Sequence, residues 1–147
     1  DISGDVLVIQ MGSNGGWNDY DELIEQYKAM IANSGTECYI IIGDTDNPEE
    51  SVDSANYTSS QEIGTDDSMW EAALREAFGE HFINMRTYLL ENALNIAGLE
   101  PTQMDEEDLS QGRVPETIKY DYTHLNSYGY YAIGYGVYEK GLELGYW

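Results

Sequence analysis

An α/β layer fold is predicted by three observations. Residues 5–11, DVLVIQM, are nearly all apolar and rich in β-branched side chains, the pattern of a strand buried on both faces. Residues 38–42, CYIII, repeat that pattern. Between them, Tyr20, Leu23, Ile24, Tyr27, Met30 and Ile31 recur at helical spacing. Strand, helix and strand make a βαβ unit, which requires parallel strands and a right-handed crossover.

The first connection, GSNGGWN at 12–18, is a tight loop whose glycines permit positive φ and close backbone approach. Asp19 with Glu22 three residues later forms a capping box for the first helix, and Asn33-Ser34-Gly35 ends it. The polar stretch 43–68 is long for a connection, which marks it as functional or mobile. Asp67 or Ser68 caps a helix over about 69–79 with Trp70, Ala73, Leu74, Ala77 and Phe78 on its apolar face. HFINM at 81–85 is a short third strand, and TYLLENALNIA at 87–97 a helix stopped by Gly98. Residues 99–119 read as loop, with Pro101, Gly112, Pro115 and an acidic run. A last helix starts at Asn126 or Ser127 and runs to about 141. It contains Gly129, Gly134 and Gly136, each costing close to ~1 kcal/mol in a helix, so close packing against the sheet is expected to compensate. Alternating strands and helices in 147 residues, without repeats or linkers, predict one domain.

Composition removes several function classes. Lys plus Arg number 6 against 28 Asp plus Glu, a formal charge of -22. Such a surface repels phosphate backbones and anionic lipid, so neither nucleic acid nor membrane is an expected partner. There is no apolar run of transmembrane length and no basic-then-apolar signal segment. Cys38 is the only cysteine, so no intrachain disulfide or Cys-rich metal site forms; a small buried hydrophobe is expected there. A single thiol is compatible with a cytosolic home and with a secreted or cell-surface one. The acidic loop 44–53, DTDNPEESVD, has oxygen ligands at alternating positions but lacks the glycine and glutamate of an EF-hand, and reads as a solvated loop. No metal site and no cofactor are expected.

The chemistry-bearing block is YDYTHLNSYG at 120–129. Asp121 and His124 stand three apart, which one turn can bring together, and a carboxylate beside an imidazole is the orienting pair of general-base catalysis. The plainer reading is an aspartate capping a turn beside a surface histidine. His81, the other histidine, sits at a strand start and is read as structural. Asn126 and Ser127 are read as caps of the last helix. By itself Asn14 reads as a turn former.

Taken together, VLVIQMGSN at 6–14, FGEHFINMRTYL at 78–89, DYTHLNSYGY at 121–130 and the ELGYW ending resemble the SGNH or GDSL-type hydrolases, a superfamily of serine esterases, lipases and carbohydrate deacetylases. The likeness spans nearly the whole chain. It implies a flavodoxin-like three-layer α/β/α sandwich with a parallel sheet. It also implies an ester or acylated-glycan substrate, His124 and Asp121 as the catalytic base and its partner, and Asn14 and Gly12 in the oxyanion loop. Ser13 and Gly15 would then line the site, and Trp17 and Tyr122 would either line its mouth or serve a structural role. Gly15 stands where the family has an aspartate.

The larger departure is an omission. The family places its nucleophilic serine in a Gly-Asp-Ser block, and an oxyanion glycine, before the Gly-x-Asn block, and only eleven residues precede Gly12. The first strands, a helix and the nucleophile are therefore expected outside this sequence, and the start at Asp1 reads as a processed or an artificially truncated end rather than a natural N-terminus. Gly43-Asp44-Thr45 echoes Gly-Asp-Ser, but threonine there would require a permuted order and crowd the attack path. Ser3 and Ser13 do not fit the strand-to-helix position of a nucleophile. Two functions stay open: the C-terminal part of an esterase, or a binding module that has lost its nucleophile. Either way the edge at 5–11 lacks the lysine or proline that protects edges. A partner is expected to complete the sheet, either the missing N-terminal fragment or a second copy.

Overall fold

A computed structural model describes residues 5–45 and 67–147. The residues outside those ranges include Ser3 and most of the acidic loop 44–53, so both of those readings lie outside the described residues.

Three parallel strands form a sheet in the order β1-β2-β3: β1 (Leu7–Ile9), β2 (Tyr39–Ile42) and β3 (Phe82–Ile83). Leu7 registers with Tyr39 and Ile9 with Ile41, while Ile41 and Ile42 register with Phe82 and Ile83. Alternation sends side chains to opposite faces. Ile9, Ile41 and Phe82 pack under α1 (Tyr20–Ser34) and α2 (Met69–Phe78) through Leu23, Tyr27, Trp70, Leu74 and Phe78. Ile40, Ile42 and Ile83 pack on the other face against α3 (Met85–Ala97) and α5 (Ser127–Glu143) through Met85, Leu89, Ala93, Ala132 and Ile133. The result is a mixed α/β domain with helices on both faces of a small parallel sheet.

β1 is shorter than 5–11 and is not buried on both faces. Val8 is 43% exposed and Met11 42% exposed. Val8 registers with Ile40, so it faces the α3/α5 side, and among the described residues no helix there covers it. Its apolar run therefore overstates how enclosed an edge strand is.

Helix boundaries follow their caps. Asp19 Oδ1 accepts the Glu22 N–H at 2.8 Å, and Gly35 closes α1 in the left-handed region. The box is only half formed, because the Glu22 carboxylate takes the Asn18 N–H instead of that of Asp19. Ser68 and Glu71 make the full reciprocal box on α2. Trp70, Leu74 and Phe78 are buried there as expected, but Ala77 is exposed. Asn84 caps α3 by accepting the Thr87 N–H, which starts that helix two residues before 87 and shortens β3. Cys38 is half-buried and precedes β2 rather than lying in it. His81 is structural: its ring stacks on Tyr39 at 4.1 Å, and Nδ1 lies 3.0 Å from the Tyr39 carbonyl and 2.9 Å from the Tyr146 hydroxyl.

The loop reading of 99–119 is corrected. Residues Gln103–Ser110 form α4, and Glu116–Ile118 a 3₁₀ turn. Thr102 and Asp105 make a reciprocal capping box that starts α4. The segment is polar on nearly every side, so it carries no apolar stripe to announce a helix. Asp105 is fully buried and accepts from the backbone and hydroxyl of both Thr102 and Thr117. Burial pushes its carboxyl up, but the Thr117 and Thr102 hydrogen bonds outweigh that and hold it below the usual carboxylate range.

The glycines of α5 meet neighbouring segments other than the sheet. A Cβ on Gly129 would lie 2.7 Å from the Ile118 carbonyl oxygen, and one on Gly136 2.7 Å from the Tyr88 ring, whereas one on Gly134 meets nothing within 4 Å. Gly134→Ala is therefore expected to raise stability by about 0.5–1 kcal/mol through helix propensity. Gly129→Ala is expected to lower it by roughly 1–3 kcal/mol through overpacking against backbone. Opposite shifts in thermal midpoint check the pair.

Candidate active site

The loop after β1 takes its shape from two buried indoles. Trp17 Nε1 donates to the Gly12 carbonyl at 2.9 Å, and the Gly15 N–H donates to the same oxygen at 2.9 Å. The Tyr27 hydroxyl donates to the Met11 carbonyl just before it. Gly12 has φ 115, and a Cβ there would sit 2.7 Å from the Trp70 ring. Only glycine satisfies both the torsion and the space. Trp17 and Trp70 rings lie 5.5 Å apart, and Trp17 is 6% exposed. Trp17 is thus a core residue under the loop and does not line a mouth. Asn14 is exposed at the loop tip, with Ser13 and Gly15 half-buried beside it.

The second block is a tight hairpin. Lys119 and Leu125 form an antiparallel bridge, and the Tyr120 N–H donates to the His124 carbonyl at 2.8 Å. Inside it, Asp121 Oδ1 accepts the Thr123 and His124 N–H groups at 3.0 and 2.8 Å. His124 Nδ1 lies 2.9 Å from Asp121 Oδ1 and 3.0 Å from Oδ2. The backbone N–H of His124, its ring and the Thr123 N–H together hold the Asp121 carboxyl below the usual carboxylate range. With Nδ1 on the carboxylate, Nε2 is directed away from it. The His124 side chain is 67% exposed. The expected pair is therefore formed, and an Nδ1–H that donates to the carboxylate would leave Nε2 as the acceptor.

Asn126 fixes this hairpin to α5. Its side-chain oxygen accepts the Tyr128 and Gly129 N–H groups, as an N-cap should, while its NH₂ donates to the Thr117 and Lys119 carbonyls. Tyr122 is 65% exposed, with the Lys119 ammonium 5.7 Å from its ring centre.

Both blocks lie toward one end of the sheet. Past the end of α5, the Tyr146 hydroxyl bonds Tyr39 and His81 at the N-terminal ends of β2 and β3. The start of α5, with the 120–124 hairpin, therefore lies toward the C-terminal ends, as does the loop 12–16. Ligands of open α/β sheets bind at that end. Among the described residues, no hydrogen bond joins Asn14 to the Asp121–His124 pair, and no serine, threonine or cysteine side chain bonds His124. The Thr45 N–H donates to the Asp44 carboxylate beside it, at the end of β2.

Sequence reasoning missed a buried ion pair at this end. Arg86, 1% exposed, donates Nε and Nη2 to the two oxygens of Glu71 at 2.7 and 2.8 Å, and Nη1 to the Gly112 carbonyl at 2.8 Å. It joins α2, α3 and the segment leading to the hairpin. Its only sequence signal is an arginine inside the otherwise uncharged FINMRTYLL. Beside it, the Arg75 guanidinium holds the Asp67 carboxyl below its usual range, with Asn84 adding a hydrogen bond. Among the described residues, no cluster of three or more His, Cys, Asp or Glu could hold a metal, and no helix is long and apolar enough to cross a membrane. No protein-family model, curated protein or solved structure matches the chain.

Proposed function

We propose that this chain is the C-terminal part of a serine-type acyl-ester hydrolase on a flavodoxin-like sandwich, with the serine supplied from outside the sequence. The observation that carries this is the Asp121–His124 pair, two contacts of 2.9 and 3.0 Å on one ring nitrogen, with the other nitrogen turned outward. That is the half of a Ser-His-Asp triad that orients and charges the base. The sheet supports the same reading. A flavodoxin-like sheet runs 2-1-3-4-5, so its last three strands are parallel and in sequential order, like β1-β2-β3. The strand that stands before these three in that order would pair with the outer edge of β1, next to the exposed Val8. In this reading the loop at 12–16 presents Asn14 as an oxyanion donor, and the substrate is a small ester or an acylated glycan.

Hydrolysis of p-nitrophenyl acetate tests it. The 147-residue chain alone is expected to turn over no faster than its His124→Ala variant. A polypeptide extended upstream to include a strand-turn serine is expected to show a burst of p-nitrophenol, with the acyl group on that serine. An adduct on any residue of this chain defeats the proposal. So does an extended polypeptide whose activity is indifferent to His124, and that result would favour a binding module.

A further inference from the structure

We propose that the groove between α3 and α5 binds a neutral saccharide chain. The groove has a volume of about 290 Å³ and is walled by Tyr88, Asn92, Asn95, Tyr131, Tyr135 and Glu139. It opens onto an aromatic row along α5. Tyr128, Tyr131, Tyr135 and Tyr138 are spaced three, four and three apart, which places them on one side of the helix. They are 47%, 59%, 41% and 50% exposed. The row covers about 15 Å of helix at 1.5 Å per residue. Single exposed aromatics are ordinary, but a contiguous run of them marks an interaction surface.

Chemistry selects the occupant. Tyrosine offers a flat apolar face together with a hydroxyl that donates and accepts, at low entropic cost, and asparagine adds an adaptable amide. A sugar ring has the complementary make-up of C–H faces and a rim of hydroxyls. The formal charge of -22 repels anionic polymers, and it repels a second copy of the chain for the same reason. Among the groove's own side chains the carboxylate is Glu139, and it accepts the Tyr88 hydroxyl at 2.6 Å, so it is already engaged and does not wait for a cation. Lys140, next in the chain, pairs with Glu143 at 2.7 Å. Too many of the lining groups are polar for a lipid chain. The row is also braced, because the Tyr138 ring stacks on Trp147 with planes 12° apart. Nothing here depends on ester hydrolysis.

Native gel electrophoresis with polysaccharide cast in the gel tests the proposal, since a chain of this charge migrates fast when unbound. The probes are xylan, mixed-linkage β-glucan, galactomannan and soluble starch. At least one is expected to retard the chain, and the hexasaccharide of that polymer should give a saturable calorimetric titration. Tyr131→Ala with Tyr135→Ala should weaken it at least tenfold while leaving the circular dichroism unchanged, as expected for exposed side chains. Met104→Ala, exposed on α4, should bind as the parent does, and a readout of binding to unacylated sugar keeps this result separate from that of the esterase test. Retardation by none of the four polymers overturns the proposal. Binding that survives the double substitution within twofold does too, as does a saturable response to tetramethylammonium with none to sugars, which would identify a site for organic cations.

Discussion

Arg86→Ala is expected to lower the unfolding free energy by about 3–5 kcal/mol, read from the urea midpoint at constant slope. The guanidinium is enclosed at 1% exposure and satisfies both oxygens of Glu71 and the Gly112 carbonyl. Its removal strands a buried carboxylate and a buried carbonyl together, and the stranded charge dominates the cost. Domains of this kind carry only about 5–15 kcal/mol in total, so the variant should be partly unfolded at physiological temperature. Arg86→Lys keeps the charge without the planar fork and should fall between the two. Arg86→Met with Glu71→Gln removes both charges and should recover part of the loss, although Glu71 also caps α2 through the Ser68 N–H at 2.7 Å. A loss below about 1 kcal/mol for Arg86→Ala, the range of exposed pairs, would show that the pair is solvated.

Asp121→Asn is expected to lower kcat by about 10⁴-fold in the completed hydrolase near neutral pH, the scale of a triad held in the wrong tautomer. The geometry gives the reason. Asp121 Oδ1 is held by the Thr123 and His124 N–H groups, so the amide oxygen keeps that place and the NH₂ replaces Oδ2 opposite Nδ1. An Nδ1 that accepts from this NH₂, in competition with its 2.9 Å contact to Oδ1, leaves the proton on Nε2 and removes the base. The hydrogen bonds that lower the Asp121 pKa keep its carboxyl ionised to lower pH than a free aspartate. The acid limb of kcat/KM should therefore not be set by Asp121 in the ordinary carboxylate range. Asn14→Ala should cost less, about 10²–10³-fold, as for one oxyanion donor. A loss under tenfold for Asp121→Asn would sink the paired role.

The elements legible in the sequence are those whose signals are local. The YIII of CYIII, the Asp19 and Ser68 caps, and the Gly35 and Gly98 stops need only neighbouring residues, and each stands where it was read. The Asp121–His124 pair belongs with them, because three residues of spacing and one Asx turn suffice to close it. α4 escaped notice because the Thr102–Asp105 box starts it while tertiary hydrogen bonds donated by Thr117 to Asp105 hold it. No apolar period advertises such a helix.

Periodicity and capping chemistry are written residue by residue, and they determined the α/β class and the places of α1, α2, α3 and α5. Burial is a property of what lies opposite, so only the tertiary structure could decide it. It turned Trp17 into a support beneath the loop, left Val8 exposed at an edge, buried Arg86 against Glu71 and put a row of tyrosines on the surface of α5. The same side chain is core or surface according to the layer that faces it, and that layer lies far away in sequence.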